Sequence, residues 1–320
     1  VIGRLRAEHI RALANRLRAL GDRQSWTYML RSCRGWTDPE LLKCPCCGAG
    51  SFRFVAGKAI VTRLVRCRSC QLLFRIPRDP VGFGETFYQK DYVSGGLTTR
   101  FPDAADLKRL LDTGFRGTDK DFSGKMRVLE FLEIRKGARI LDFGASWGYL
   151  TWQFRKAGYD AVGYEISEPR AQYARERLGV RIETDKERLD GAFDVVFSSH
   201  VLEHLANPQE AFALAGKLLN KRGVFVAFTP NGSEACFRAD RARYNRTWGR
   251  LHPLHLDEKF YRHILPNGPK LLTSREYGQW HDLSEIGRWD RATDFFHDLS
   301  MPELLAIWVC PESPGRHAVA

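Results

Sequence analysis

Two groups of residues have the types and spacing to do chemistry. Cys44-x-x-Cys47 and Cys67-x-x-Cys70 have the interval at which each pair of thiolates can turn onto one tetrahedral zinc ion. Four thiolates close the coordination shell, so such an ion would be structural; Cys46 is a spare thiol. Further along, His200, Glu203 and His204 stand together in HVLEHL. Imidazole titrates near neutrality and can take a proton from a hydroxyl or an acidic carbon. His200 is the first candidate for catalysis and His204 the next. The His200/Glu203/His204 cluster could also hold a divalent metal, with His252 or His255 approaching from a later loop. Imidazole ligands lower the ligand charge and make magnesium, which prefers oxygen donors, the less suitable ion. The plainer alternative is that these polar groups only hydrogen-bond their own loop.

The elements that must position these residues begin at RILDFGASWGYLTWQFRKAGYDAVGYE, residues 139–165. It reads as a buried strand, a glycine-containing turn, a helix and a second strand ending in an acid. That is half of a doubly wound nucleotide fold, whose ligands lie at the carboxyl ends of the strands. Gly144 and Gly148 would let backbone approach a ligand closely. Glu165 lies 21 residues beyond Gly144, where an acid can accept hydrogen bonds from both ribose hydroxyls. The dinucleotide pattern G-x-G-x-x-G would need glycine at Ser146 and Tyr149, so a ligand with one ribose and no pyrophosphate fits better. The expected elements are strands 139–143, 160–165, 180–184, 193–199 and 223–229, with helices 147–157, 168–178 and 208–219 between them. A helix at 256–265 and strands at 270–277 and 303–309 would complete a seven-stranded α/β sheet.

The residues Asp142-Phe-Gly144-Ala-Ser146-Trp-Gly148 and Gly163-Tyr-Glu165 resemble the class I S-adenosylmethionine-dependent methyltransferases, whose turn is D-x-G-x-G-x-G. The resemblance implies a Rossmann-like fold. It also implies a cofactor site built from Asp142, Gly144, Ala145, Ser146, Gly148 and Tyr149, with Glu165, Ile166 and Ser198. HVLEHL is a frequent form of that family's loop after the fourth strand, and some members with E-x-x-E-H there bind a divalent metal. The run from CPCCG to FYQKDYV is similar to bacterial members with an amino-terminal zinc ribbon, which modify sugars, polysaccharides and natural products. Residues 52–65 then read as the ribbon's hairpin strands.

The expected organisation is a basic amphipathic helical segment at 1–40, the ribbon at 41–80, a connector or lid at 81–121 and the cofactor-binding domain at 122–320. Of the net charge of +12, most lies before Cys70, where fourteen Lys and Arg face four Asp and Glu. Such a front could attract phosphates of a substrate, a nucleic acid or an anionic surface, or pair with a second copy or a protein partner. No apolar run approaches the ~18 residues of a membrane span. Val1 opens an arginine-rich segment without a secretory core, and clustered cysteines suit a reducing cytoplasm. The leading expectation is methyl transfer to a hydroxyl, less readily to carbon or nitrogen, of a glycan, sugar nucleotide or secondary metabolite, which need not lack phosphate. The competing expectations are an RNA-directed methyltransferase and a non-enzymatic assembly protein that binds the cofactor.

Overall fold

The computed structural model describes residues 23–58, 61–80, 82, 100–265, 267–287 and 289–311. The amphipathic helix expected over 1–20 and residues 81 and 83–99 of the expected connector lie outside the described residues. The connector's described end forms α2 (Ala104–Asp112), capped by the Asp103 carboxylate, which accepts from the Asp106 amide. Ahead of the ribbon runs α1 (Arg23–Gly35).

The ribbon is the hairpin β1 (Phe52–Lys58) and β2 (Thr62–Cys67), extended by β3 (Leu73–Ile76). A fourth strand comes from far along the chain. β9 (Leu254–His255) pairs antiparallel with β3, Leu73 opposite His255 and Phe74 opposite Leu254. Phe74, Val65 and Leu72 are buried in one cluster with Leu254, Leu256 and Phe260, and that cluster continues to Leu141 and Phe143. The ribbon therefore needs no separate core of its own.

Among the described residues the central sheet has eight strands, ordered β11-β10-β12-β8-β7-β4-β5-β6. They are β4 (Arg139–Phe143), β5 (Asp160–Tyr164), β6 (Ile182–Glu183), β7 (Phe193–Ser199), β8 (Leu219–Pro230), β10 (Lys270–Arg275), β11 (Phe295–His297) and β12 (Glu303–Val309). β4, β5, β6, β7 and β8 run parallel, and β12 enters antiparallel between β8 and β10. The expected seven strands are all present. The eighth, β11, comes from the 278–300 insert and pairs with β10 along three residues. Three residues flanked by polar side chains carry too little periodicity to be read as a strand.

Strands such as β4 and β7 are buried on both faces, as parallel strands must be. Ile140, Val195 and Phe197 pack on α3 (Ser123–Phe131) and α4 (Tyr149–Lys156). Leu141 and Val196 pack toward α6 (Pro208–Leu218) and α7 (Glu258–Ile264). α7 starts two residues later than expected because Asp257 caps it, accepting from the Phe260 amide. The helix expected over 168–178 is α5 (Glu168–Tyr173) followed by a wider turn over Ala174–Leu178, closed by Gly179 at φ +65°. The chain moves outward from β4 to β6 and then returns to β7 on the other side of β4. That reversal opens a crevice at the carboxyl ends of β4 and β7.

Candidate active site

At the end of β4 the chain turns through Gly144, Ser146 and Gly148, with φ of +86°, +52° and +82°. Left-handed backbone explains the glycines, but the space around them is already filled by protein. A Cβ at Gly144 would lie 2.2 Å from Val201 Cγ2, and one at Gly148 would lie 2.7 Å from Ala174 Cβ. The Gly144 and Ala145 amides both donate to the Tyr164 carbonyl. The glycines thus allow the turn to pack closely against Val201 and Ala174. Ser146 holds its left-handed place because its amide donates to Glu165 Oε2 (2.9 Å) and its hydroxyl accepts from Arg170 Nη1 (2.9 Å).

Glu165 is buried just beyond β5, and its other oxygen accepts from the Ser167 amide (2.8 Å). Burial pushes its pKa up against the pull of those amides and of Arg170. Each oxygen accepts from one of these amides and a carboxylate offers about four acceptor sites, so room for hydroxyl donors remains. Ile166 beside it is 38% exposed. Ser198, opposite Phe143 across β4 and β7, is buried with no partner for its hydroxyl among the described residues. Tyr149 begins α4 and packs its ring on Trp147.

Asp142 is buried and accepts from Thr151 Oγ1 at 2.7 Å. Burial raises its pKa to about 7, opposed by the Thr151 hydrogen bonds and assisted by the charge of Glu165. An unfolded aspartate titrates near 3.9. A folded value above that gives stability fully present below about pH 4 and lost as pH rises through about 7. Asp142→Asn keeps an oxygen for Thr151 and removes the titration. Its thermal midpoint, measured against the parent's from about pH 4 to 8, should therefore gain on the parent as pH rises; parallel profiles would refute the shift.

The HVLEHL loop leaves β7 at His200, which has φ +56°. The His200 ring lies between two buried carboxylates: Nδ1 is 3.1 Å from Glu203 Oε1 and Nε2 is 2.6 Å from Glu303 Oε1. Burial and Lys125 push the His200 pKa down, but the two carboxylate hydrogen bonds outweigh them and the net direction is up. Burial alone would raise Glu303 as well, yet the bond from His200 and the charge of Lys125 bring it down to about 2. With both nitrogens donating, His200 is an imidazolium with no lone pair to offer. Lys125 Nζ also donates to Ser199 Oγ (3.0 Å), and Trp280 Nε1 donates to Glu303 Oε2 (2.7 Å). Sequence reasoning misses Lys125, Trp280 and Glu303, which stand far from the loop along the chain. Glu303 carries one faint signal, an acid opening the apolar strand ELLAIWV.

His204 is placed differently. Its Nδ1 is 2.6 Å from the Leu251 carbonyl, and burial lowers its pKa against the pull of Glu203. Its ring meets that of His252 edge to face at 4.8 Å. The three residues that converge here are Glu203, His204 and His252, with ligand atoms within 4.8 Å of one another. His200 is not in that group; its ring stands between Glu203 and Glu303. His255 is fully buried in the β3–β9 pairing, with Nε2 3.0 Å from Thr247 Oγ1.

Residues 122–282, half of the chain, match the family described as a methyltransferase domain. The chain belongs to that family. A ubiquinone biosynthesis O-methyltransferase of Azorhizobium caulinodans is 32% identical over 111 residues, which is 32% of this chain and 44% of that protein. A cyclopropane-fatty-acyl-phospholipid synthase of Escherichia coli is 28% identical over 149 residues, covering 44% of this chain and 34% of that one. The chain thus spans less than half the length of these curated relatives. A TehB-like methyltransferase structure from Corynebacterium glutamicum aligns with 64% of this chain and 95% of its own, at 20% identity and a TM-score of 0.41. The family implies S-adenosylmethionine, and the buried acid Glu165 with the unpartnered Ser198 hydroxyl fits a ligand carrying one ribose.

The methyltransferase's ribbon brings its four cysteines together as the spacing predicts. Cys44, Cys47, Cys67 and Cys70 form one group with sulfurs within 4.8 Å of one another. Cys44 Sγ lies 3.5 Å from Cys70 Sγ, and Cys47 Sγ lies 3.5 Å from Cys67 Sγ. Zn–S bonds of ~2.3 Å in a tetrahedron place sulfurs roughly 3.8 Å apart, so the cluster is consistent with a zinc ribbon. Gly48 has φ +72°, and Gln71 adopts φ +64° where a second glycine often stands. Gln71 Nε2 donates to the Arg68 carbonyl (3.0 Å) and steadies that turn. Cys46 is buried outside the group.

Proposed function

We propose that the chain transfers the methyl group of S-adenosylmethionine to a hydroxyl oxygen of a small-molecule or glycan acceptor. The observation that carries this reading is the pairing of two features on either side of the β4 turn of a methyltransferase domain: the buried acid Glu165 and the histidine loop 200–204. Oxygen is favoured over carbon and nitrogen by imidazole and carboxylate groups at the mouth, and an O-methyltransferase is among the relatives.

The bound cofactor would supply an electrophilic methyl group on a sulfonium. Glu165 would take its ribose hydroxyls, and the exposed Ile166 would cover an apolar face. Asp142, Gly144, Ala145, Ser146, Gly148 and Tyr149 hold the shape of the turn beneath it, and Ser198 offers a hydroxyl from the strand end. Methyl transfer is an in-line displacement, so the remaining work is to place the acceptor oxygen and dispose of its proton. His200 fixes the mouth as an imidazolium clamped by Glu203 and Glu303, and His204 retains the lone pair at Nε2. The four-cysteine group would hold structural zinc.

The test is release of S-adenosylhomocysteine when the chain meets pools of hydroxylated acceptors; no binding of S-adenosylmethionine by calorimetry would overturn the reading. His200→Ala removes the group that fixes the mouth and should lower kcat by on the order of a hundredfold through misplacement of the acceptor, while S-adenosylmethionine affinity stays within about twofold. A normal rate would remove His200 from the machinery.

The RNA-directed alternative draws on the basic front, where four of the cations are engaged. Arg66 pairs with Asp257, Arg31 with Asp79 and Lys43 with Glu40, while Lys58 donates to main-chain carbonyls. RNA binding that weakens steeply with salt would revive it. No helix among the described residues is long and apolar enough to cross a membrane.

A further inference from the structure

We propose that Tyr277 is the residue that sets acceptor specificity, and that the acceptor lays against it a flat, largely apolar ring beside the hydroxyl to be methylated. The inference rests on the hydroxyl-transfer reading above and narrows its acceptor class. Three observations carry it.

The first is where apolar surface is left open. Six large hydrophobic side chains are exposed among the described residues, and three of them belong to segments at the mouth. Ile166 follows Glu165, on the side proposed for the cofactor. Leu251 is 38% exposed, and its carbonyl faces His204. Tyr277 is 43% exposed, and its ring lies 5.8 Å from that of His200 with a tilt of 37°. Exposed apolar groups gathered at one crevice mark a place where apolar surface of a ligand leaves water.

The second is that this exposed ring is held still. Glu276, just before it, takes Nη1 and Nη2 of Arg243 at 2.8 and 2.6 Å. The Glu276 carbonyl accepts from the Gln279 amide, and Gly278 completes the turn at φ +76°. Trp280, three residues on, is buried edge-on against Phe228 and donates to Glu303. A ring anchored on both sides along the chain gives up little freedom when a ligand arrives, so its contact is retained as affinity. The third is that the donors beside it already face protein. His200 stands between Glu203 and Glu303, Lys125 donates to Ser199 and Glu303, and Arg243 grips Glu276. A bare sugar, with hydroxyls on every side, would bury several of them against groups already engaged, which is costly. A flat ring with one or two hydroxyls avoids that cost and covers Tyr277.

The experiment uses the full chain saturated with S-adenosylhomocysteine and follows the binding of 2-naphthol by calorimetry, with methyl glucoside as the comparison. 2-Naphthol should bind and methyl glucoside should not. Tyr277→Ala should weaken 2-naphthol binding at least about tenfold, while Tyr277→Phe, which keeps the ring, should stay within about twofold of the parent. S-adenosylmethionine affinity should be unchanged in both, which separates a lost contact from a damaged fold. If the alanine variant also loses cofactor affinity, Tyr277→Leu keeps apolar volume without the ring and gives the same readout. No 2-naphthol binding by the parent, equal binding by a folded variant without the ring, or preference for the glucoside overturns the proposal. Binding of 2-naphthol with methyl transfer to no hydroxyl would leave the Tyr277 contact standing and sink the hydroxyl-transfer reading. Methyl transfer to sugar hydroxyls alone would do the reverse.

Discussion

Cys67→Ser should cost the chain its ribbon zinc and lower its thermal midpoint further than the loss of any single side chain at the mouth. Structural zinc in small modules contributes on the order of 10 kcal/mol of apparent binding free energy near neutrality, and a hydroxyl is a poor substitute for one of four thiolates. Cys67 is fully buried at the end of β2, and its amide donates to the Leu72 carbonyl. Loss of the ion would loosen the turn that feeds β3. The damage would not stop at the ribbon, because Val65 and Phe74 share a cluster with Leu254 and Phe260. Thermal unfolding together with thiolate-bound metal content checks this. Full retention of ribbon zinc and an unchanged midpoint would refute the assignment.

The second large effect is expected at Glu165. Glu165→Ala should weaken S-adenosylmethionine binding by on the order of a hundredfold or more, about 3 kcal/mol. The substitution removes the proposed ribose acceptor, and it also strands the Ser146 and Ser167 amides that the carboxylate now receives. Gly144→Val should reach a similar loss by another route. Valine resists φ +86°, and its Cβ would press into Val201 and displace the loop that carries His200 and Glu203. Calorimetric titration of both variants tests the pair. Affinities equal to the parent's in both would remove the cofactor site from the β4 turn.

How far the residues announce all this depends on how local each signal is. The parallel core is readable because its strands are short apolar runs separated by helices. The four-cysteine cluster is readable because each Cys-x-x-Cys turn is four residues long. The glycine turn stands where its pattern puts it, and the missing Cβ atoms also make room for Val201 and Ala174, neighbours that no local pattern predicts. The mouth is legible only in part. HVLEHL marks three of its residues, while Glu303 reaches His200 from 103 residues away and Lys125 arrives from the helix before β4. The residues that lie together there are Glu203, His204 and His252, whereas the His200 ring stands between Glu203 and Glu303. β9 and β11, at two and three residues, are created by pairing rather than by propensity.

The pairing of β3 with β9 also sets an order of events during synthesis. Leu73 waits for His255, about 180 residues later in the chain. At ribosomal speeds of about 5–20 residues per second, that is roughly ten to forty seconds. Throughout that interval β3 presents an unpaired edge, the kind of edge that recruits strands from other chains. The wait ends only when the segment carrying Leu254 emerges, after the parallel strands β4 to β8 of the central sheet have been made. A nascent chain halted before residue 250 should therefore be far more prone to aggregate than one released past it.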